Sequence, residues 1–146
     1  KKGIEINIAV TGRFPDKPNS EYLQELHDIV NGNDLRQSIF FLGLIPRGDQ
    51  LLLMKYAQAI IQPSLFEGWS TVIEDAKSLQ VPVIAADLNV NTEQLEETGT
   101  YFEPHNSNQL ADILEKFPAR DYAKPLYESY ENRMKKAAYE LLAVFK

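Results

Sequence analysis

Cysteine is absent from this chain, which excludes a disulfide framework, a thiolate metal site and a cysteine nucleophile. Only two histidines are present. His27 falls at the edge of an amphipathic segment and His105 in a polar loop, too isolated for a metal site or a catalytic base, so no metal and no cofactor is expected. No apolar run reaches the about 18 residues that suggest a membrane-spanning helix. The start, Lys1-Lys2-Gly3, has no signal-like pattern and leads directly into a strand-like segment. A cytoplasmic location is therefore expected, with peripheral contact at the membrane face left open. The net charge of −6 comes with no basic stripe of the kind that neutralises a phosphate backbone, so nucleic acid is not an expected partner.

What is present is a chain of 146 residues, 44% of them apolar, enough to close one core. Residues 4–10 form a mostly apolar run that ends in Thr11-Gly12 and a loop with Pro15 and Pro18, the pattern of a buried strand and turn. Asn19 or Ser20 is placed to cap a helix carrying Leu23, Leu26, Ile29 and Val30 on one face, stopping near Gly32. Further strands are expected over 39–42, 59–62, 81–85 and 100–103. Helices are expected about Leu51 to Met54, over 71–79, through Leu110, Ile113, Leu114 and Phe117, and from Leu126 through Phe145, with one or two helical turns over 92–97.

Apolar strands alternating with amphipathic helices predict a doubly wound α/β domain, its mainly parallel sheet covered by helices on both faces, because parallel neighbours need crossovers. Ligands in such sheets sit outside the carboxyl ends of the strands, so the loops after Val10, Leu42, Gln62 and Ala85 are the ones to search. The loop after Gln62 runs Pro63-Ser64-Leu65-Phe66-Glu67-Gly68-Trp69-Ser70-Thr71 into a helix. A helix start offers unpaired N–H groups and about half a positive charge, a natural seat for pyrophosphate.

The segments Phe40-Phe41-Leu42-Gly43-Leu44-Ile45, Leu51 to Ala57, Gln62-Pro63-Ser64-Leu65-Phe66-Glu67-Gly68-Trp69, Asp75-Ala76-Lys77 and Val81-Pro82-Val83-Ile84-Ala85 occur in this order. Together they resemble the carboxyl-terminal domain of glycosyltransferase family 4 (group 1). The resemblance implies a Rossmann-like half of a GT-B fold, in which two such domains face each other across a cleft. It implies retaining, hexosyl-type transfer from a nucleotide diphosphate sugar, without a metal, to an acceptor hydroxyl. Residues 1–146 are then one donor-binding domain. The domain's first strand, with the arginine and lysine that neutralise pyrophosphate, and the amino-terminal acceptor domain are expected to lie outside the chain, which alone is expected to be inactive.

The family signature is a pair of glutamates separated by seven residues. Glu67 matches the first, which contacts donor-sugar hydroxyls near the reacting carbon. Asp75 stands in register with the second, a ribose ligand, and Glu74 sits one residue early. On a helix of about 100° per residue with Val72 at zero, Asp75 falls about 60° to one side and Glu74 nearly opposite. Asp75 is thus preferred and Glu74 is expected to face solvent, a choice that a one-residue shift of the helix start reverses. The resemblance further places the amides of Gly68, Trp69, Ser70 and Thr71, with the Ser70 and Thr71 hydroxyls, around sugar and pyrophosphate. It sets Ile45 beside the nucleobase and Glu93 where the family has an acidic residue. Trp69 has an equal claim as a packing residue, and Arg13 and Arg47 read as surface charges. The competing classes are a sugar-nucleotide epimerase of the same fold and a non-catalytic Rossmann-like binding module. Nucleobase, sugar and acceptor stay open.

Overall fold

A computed structural model describes residues 6–13, 21–121, 124 and 126–145. The chain forms two compact units, Lys1–Gln50 and Leu51–Lys146. The fold is Rossmann-like α/β, with parallel sheets flanked by helices.

In the first unit, β1 (Ile8–Thr11) pairs in parallel with β2 (Ile39–Gly43), Ile8 opposite Ile39 and Val10 opposite Phe41. The crossover is α1 (Glu21–Gly32). Val30 is buried on α1, and His27 rests on Phe41 with ring centroids 5.1 Å apart. The expected caps Asn19 and Ser20, and the first residues of the expected 4–10 strand, lie outside the described residues. α2 (Arg47–Tyr56) starts directly after Pro46, whose carbonyl accepts from the Gln50 N–H at 3.0 Å. It is therefore longer than the Leu51 to Met54 pattern implied.

The second unit is built on β3 (Ile60–Gln62), β4 (Val83–Ala86) and β5 (Thr100–Phe102), parallel and in that spatial order. Every residue of β4 is buried because the strand is covered on both faces. Val83 and Ala85 join a core with Met54, Ile73, Ala76, Val81, Leu95 and Tyr127, whereas Ile84 and Ala86 join Phe102 on the other face. The first core is closed by α3 (Thr71–Ser78) and α4 (Asn89–Leu95), the second by α5 (Ser107–Lys116). This is the period-two alternation of a strand feeding two layers. A 3₁₀ turn, Glu96–Thr98, follows α4.

Polar side chains close the ends of these elements. Asn106 and Ser129 cap α5 and α6 (Tyr130–Val144) by accepting from Gln109 N–H at 3.0 Å and Asn132 N–H at 3.2 Å. The Arg120 guanidinium donates to the carbonyls of Lys55, Ala57, Leu79 and Gln80, where α2 and α3 end and leave orphan acceptors. Gln80 has a φ of +59° just past α3, and its Oε1 accepts from the Leu126 and Tyr127 N–H groups at 2.7 and 2.8 Å. The far half of α6 exposes Tyr139, Leu141, Leu142, Val144 and Phe145. The apolar stripe expected of this helix is therefore largely uncovered among the described residues.

Candidate functional site

β3 and β4 run in parallel, so their carboxyl ends share one edge, and the loop 63–70 leaves β3 on that edge before α3 begins at Thr71. It is the edge at which open parallel sheets hold ligands. Two side chains shape the start of the loop. Gln62, the last residue of β3, donates through Nε2 to Glu67 Oε2 at 3.0 Å and to Ser64 Oγ at 3.1 Å, and Ser64 Oγ lies 3.5 Å from the same glutamate oxygen. The Glu67 carboxylate is thereby held half-buried against the strand end while its neighbours stand out: Phe66 is 89% and Trp69 55% exposed.

Gly68 is exposed, and a Cβ built on it would meet nothing within 4 Å. Its φ lies outside the left-handed range, so neither backbone strain nor crowding within the chain requires glycine here. Thr71, the first helical residue, is also exposed.

Ser70 behaves differently from its neighbours. It is 2% exposed, and its hydroxyl caps α3 by accepting from Ile73 N–H at 3.4 Å. Its N–H donates to Gln94 Oε1 at 2.9 Å, and its carbonyl accepts from Gln94 Nε2 at 3.1 Å. The expectation that the Ser70 amide and hydroxyl face a ligand is corrected: both are committed inside the protein, because the helix start needs a cap.

Glu74 also departs from its helical-wheel position in solvent. It is half-buried, with Oε1 accepting from Gln94 Nε2 at 3.1 Å and Oε2 from Arg133 Nη1 at 3.0 Å, while Lys77 Nζ stands 3.8 Å from Oε1. A wheel measures angle around one helix, and here α4 and α6 bring partners to the side it leaves open. Asp75 is half-buried on the same helix. Ile45 is half-buried in the loop between β2 and α2 of the first unit.

The residue missed from sequence is Gln94. Glu93 is exposed, whereas Gln94 is 3% exposed and reaches the loop. The available signal was its spacing: Asn91, Gln94 and Leu95 lie at i, i+3 and i+4 on the buried face of α4. A polar residue in that stripe requires a buried partner. Among the described residues no three His, Cys, Asp or Glu side chains converge as a metal site would require.

The family model of group 1 glycosyl transferases matches residues 1–141. The chain belongs to this family. Proteins similar to it include glycosyltransferase 1 domain-containing protein 1 of Xenopus tropicalis, 27% identical over 117 residues, and the O-antigen chain mannosyltransferase RfbU of Salmonella typhimurium, 27% identical over 120. These alignments cover 78% and 75% of the chain and 32% of each relative. The chain thus spans about a third of the length of the curated relatives it matches. Anabaena HepE, solved in complex with UDP, superposes with a TM-score of 0.67 at 26% identity, covering 75% of this chain and 30% of HepE. Sucrose-phosphate synthase of Thermosynechococcus elongatus shares the fold, with a TM-score of 0.67 at 22% identity over 93% of this chain and 38% of the synthase. The architecture is that of one half of a GT-B glycosyltransferase. Among the described residues no helix is long and apolar enough to cross a membrane.

Proposed function

We propose that residues 1–146 form the carboxyl-terminal, donor-binding domain of a retaining, family 4 hexosyltransferase that works from a nucleotide diphosphate sugar. The observation that carries this reading is the placement of Glu67, its carboxylate held by Gln62 and Ser64 at the carboxyl end of β3, immediately ahead of the α3 amino terminus. Family membership supports it, as does the likeness to HepE, which has been solved with UDP and with UDP-glucose.

Breaking the bond between sugar and phosphate leaves positive charge on the anomeric carbon and negative charge on the departing nucleoside diphosphate. The N–H groups of Gly68, Trp69 and Thr71, with the positive end of the α3 dipole, are suited to the leaving group. Glu67 takes the sugar hydroxyls and Asp75 the ribose hydroxyls. Glu74, whose two oxygens are engaged by Gln94 and Arg133, serves the structure instead. The acceptor oxygen attacks the anomeric carbon on the face from which phosphate departs, its proton passes to the leaving phosphate, and configuration is retained. The acceptor is read by the remainder of a longer, cytoplasmic protein, so the isolated chain turns over little or nothing.

Ligand-observed NMR with UDP, GDP and ADP tests the donor reading. Binding of one nucleotide that weakens in Asp75→Ala is the expected result. Failure of all three to bind at millimolar concentration overturns it. In the longer protein, an inverted product would overturn retention alone.

A further inference from the structure

The Gln94 carboxamide lies behind the proposed ligand space, yet it hydrogen-bonds two peptide groups of the loop end that borders it. Its Oε1 accepts the Ser70 N–H at 2.9 Å and its Nε2 donates to the Ser70 carbonyl at 3.1 Å, a two-point clasp across residues 24 apart in sequence. The Ser70 N–H belongs to the 69–70 peptide, whose plane Gln94 holds; the Ser70 carbonyl belongs to the 70–71 peptide, which Gln94 shares with the first helical bond of α3, from the Glu74 N–H at 3.2 Å. In a trans peptide the C=O and N–H point opposite ways. With the Ser70 carbonyl turned toward Gln94, the Thr71 N–H is directed away from it, out of the helix start.

The clasp has a fixed polarity, because the Ser70 N–H requires an acceptor while the Ser70 carbonyl and the Glu74 carboxylate both require a donor. Glu74 Oε1 accepts from the same Nε2 at 3.1 Å, and Arg133 Nη1 holds the other Glu74 oxygen at 3.0 Å. Lys77 Nζ donates to the Gln94 carbonyl at 2.7 Å. Arg133 is further tied by Nη2 to Ser78 Oγ at 3.2 Å. Helices α3, α4 and α6 therefore meet in one polar cluster directly behind the loop. Such a cluster rigidifies when satisfied and is costly when broken.

We propose that Gln94 is a positioning residue of the donor site, acting through the Ser70 N–H to fix the 69–70 peptide and so to hold Trp69 and Gly68 in register with Glu67. This rests on the donor-binding reading above.

The test uses this chain with three variants. Gln94→Met keeps length and removes both hydrogen bonds; Gln94→Glu keeps the acceptor for Ser70 but sets a carboxylate against Glu74. Glu74→Gln combined with Gln94→Glu returns a donor–acceptor pair between the two side chains. Amide hydrogen exchange at Ser70 reports the clasp, and titration with the nucleotide that binds the wild type reports the site. Gln94→Met and Gln94→Glu are expected to speed Ser70 exchange and weaken nucleotide binding by about tenfold each. The double variant removes the clash between carboxylates and keeps the acceptor for Ser70 N–H, but gives the Ser70 carbonyl no donor; it is expected to recover Ser70 exchange to within about threefold and binding in part, a rescue that a purely space-filling role would not produce. Faster Ser70 exchange with unchanged nucleotide affinity overturns the proposal while leaving the donor reading in place, as does a double variant no better than Gln94→Glu. Absence of nucleotide binding by the wild type overturns both.

Discussion

Gln62 and Glu67 face each other across the four residues between them, the glutamine Nε2 donating to the glutamate Oε2 at 3.0 Å. A strand end thereby dictates where a loop carboxylate points. If Glu67 handles the sugar and not the nucleotide, Gln62→Leu and Glu67→Ala should leave nucleotide affinity of this chain unchanged. In the longer protein the first should lower kcat/KM about tenfold and the second about 100-fold. Steady-state kinetics alongside nucleotide titration separates the two effects; a matching loss of nucleotide affinity would contradict the role assigned to Glu67.

Gly68 offers a sharper separation of fold from function. A methyl group there meets open space in the chain itself, so Gly68→Ala should keep stability within about 0.5 kcal/mol. The same methyl would occupy the approach to the proposed diphosphate, and nucleotide binding should fall. Denaturant unfolding and nucleotide titration on one sample measure both. Unchanged binding would remove Gly68 from the site.

Gly99 gives the opposite pattern. An added Cβ would lie 2.5 Å from Tyr101 Cζ and 3.0 Å from Leu95 Cβ, and the Tyr101 ring is anchored by its hydroxyl donating to the Glu96 carbonyl at 2.6 Å. Gly99→Ala should therefore destabilise the fold by about 1–3 kcal/mol through overpacking. Chemical denaturation reads this directly.

Tyr127 makes stability depend on alkaline pH. Its hydroxyl donates to the Val81 carbonyl at 3.0 Å within the core. Burial, reinforced by Tyr101 and opposed by Arg120, pushes it up from the ordinary 10.0 to about 12. The folded state thus holds the proton more tightly than the unfolded chain does. Its contribution is complete below pH about 10 and is lost as pH rises toward about 12, amounting to roughly 2–3 kcal/mol. Unfolding midpoints measured across this window should fall with pH, and Tyr127→Phe should flatten that part of the slope while costing about 1–2 kcal/mol at neutral pH.

The exposed end of α6 predicts a solution property. Tyr139, Leu141, Leu142 and Val144 of α6, with Phe145 just past its end, are exposed apolar side chains crowded into seven residues, and they should bind a fluorescent apolar dye. Leu142→Lys with Phe145→Lys should reduce the dye signal and change stability by less than about 0.5 kcal/mol. A large loss of stability would mean that this end of α6 packs in solution.

The α/β alternation, the parallel sheet covered on both faces and the loop after Gln62 were legible in the sequence because apolar period reports burial, and burial is what separates a covered strand from a one-sided helix. The strand expected over 81–85 forms over Val83–Ala86, buried on both faces; it starts two residues later because Val81 and Pro82 still belong to the turn out of α3. The family was legible from the motif around Glu67. The state of Ser70, the environment of Glu74 and the position of Gln94 were not, since each depends on partners 20 to 59 residues away. Local periodicity gives the face of an element but not what another element brings to it. Which polar groups near the helix start are consumed within the protein, and which stay exposed, was decided only by the packing of α4 and α6 against α3.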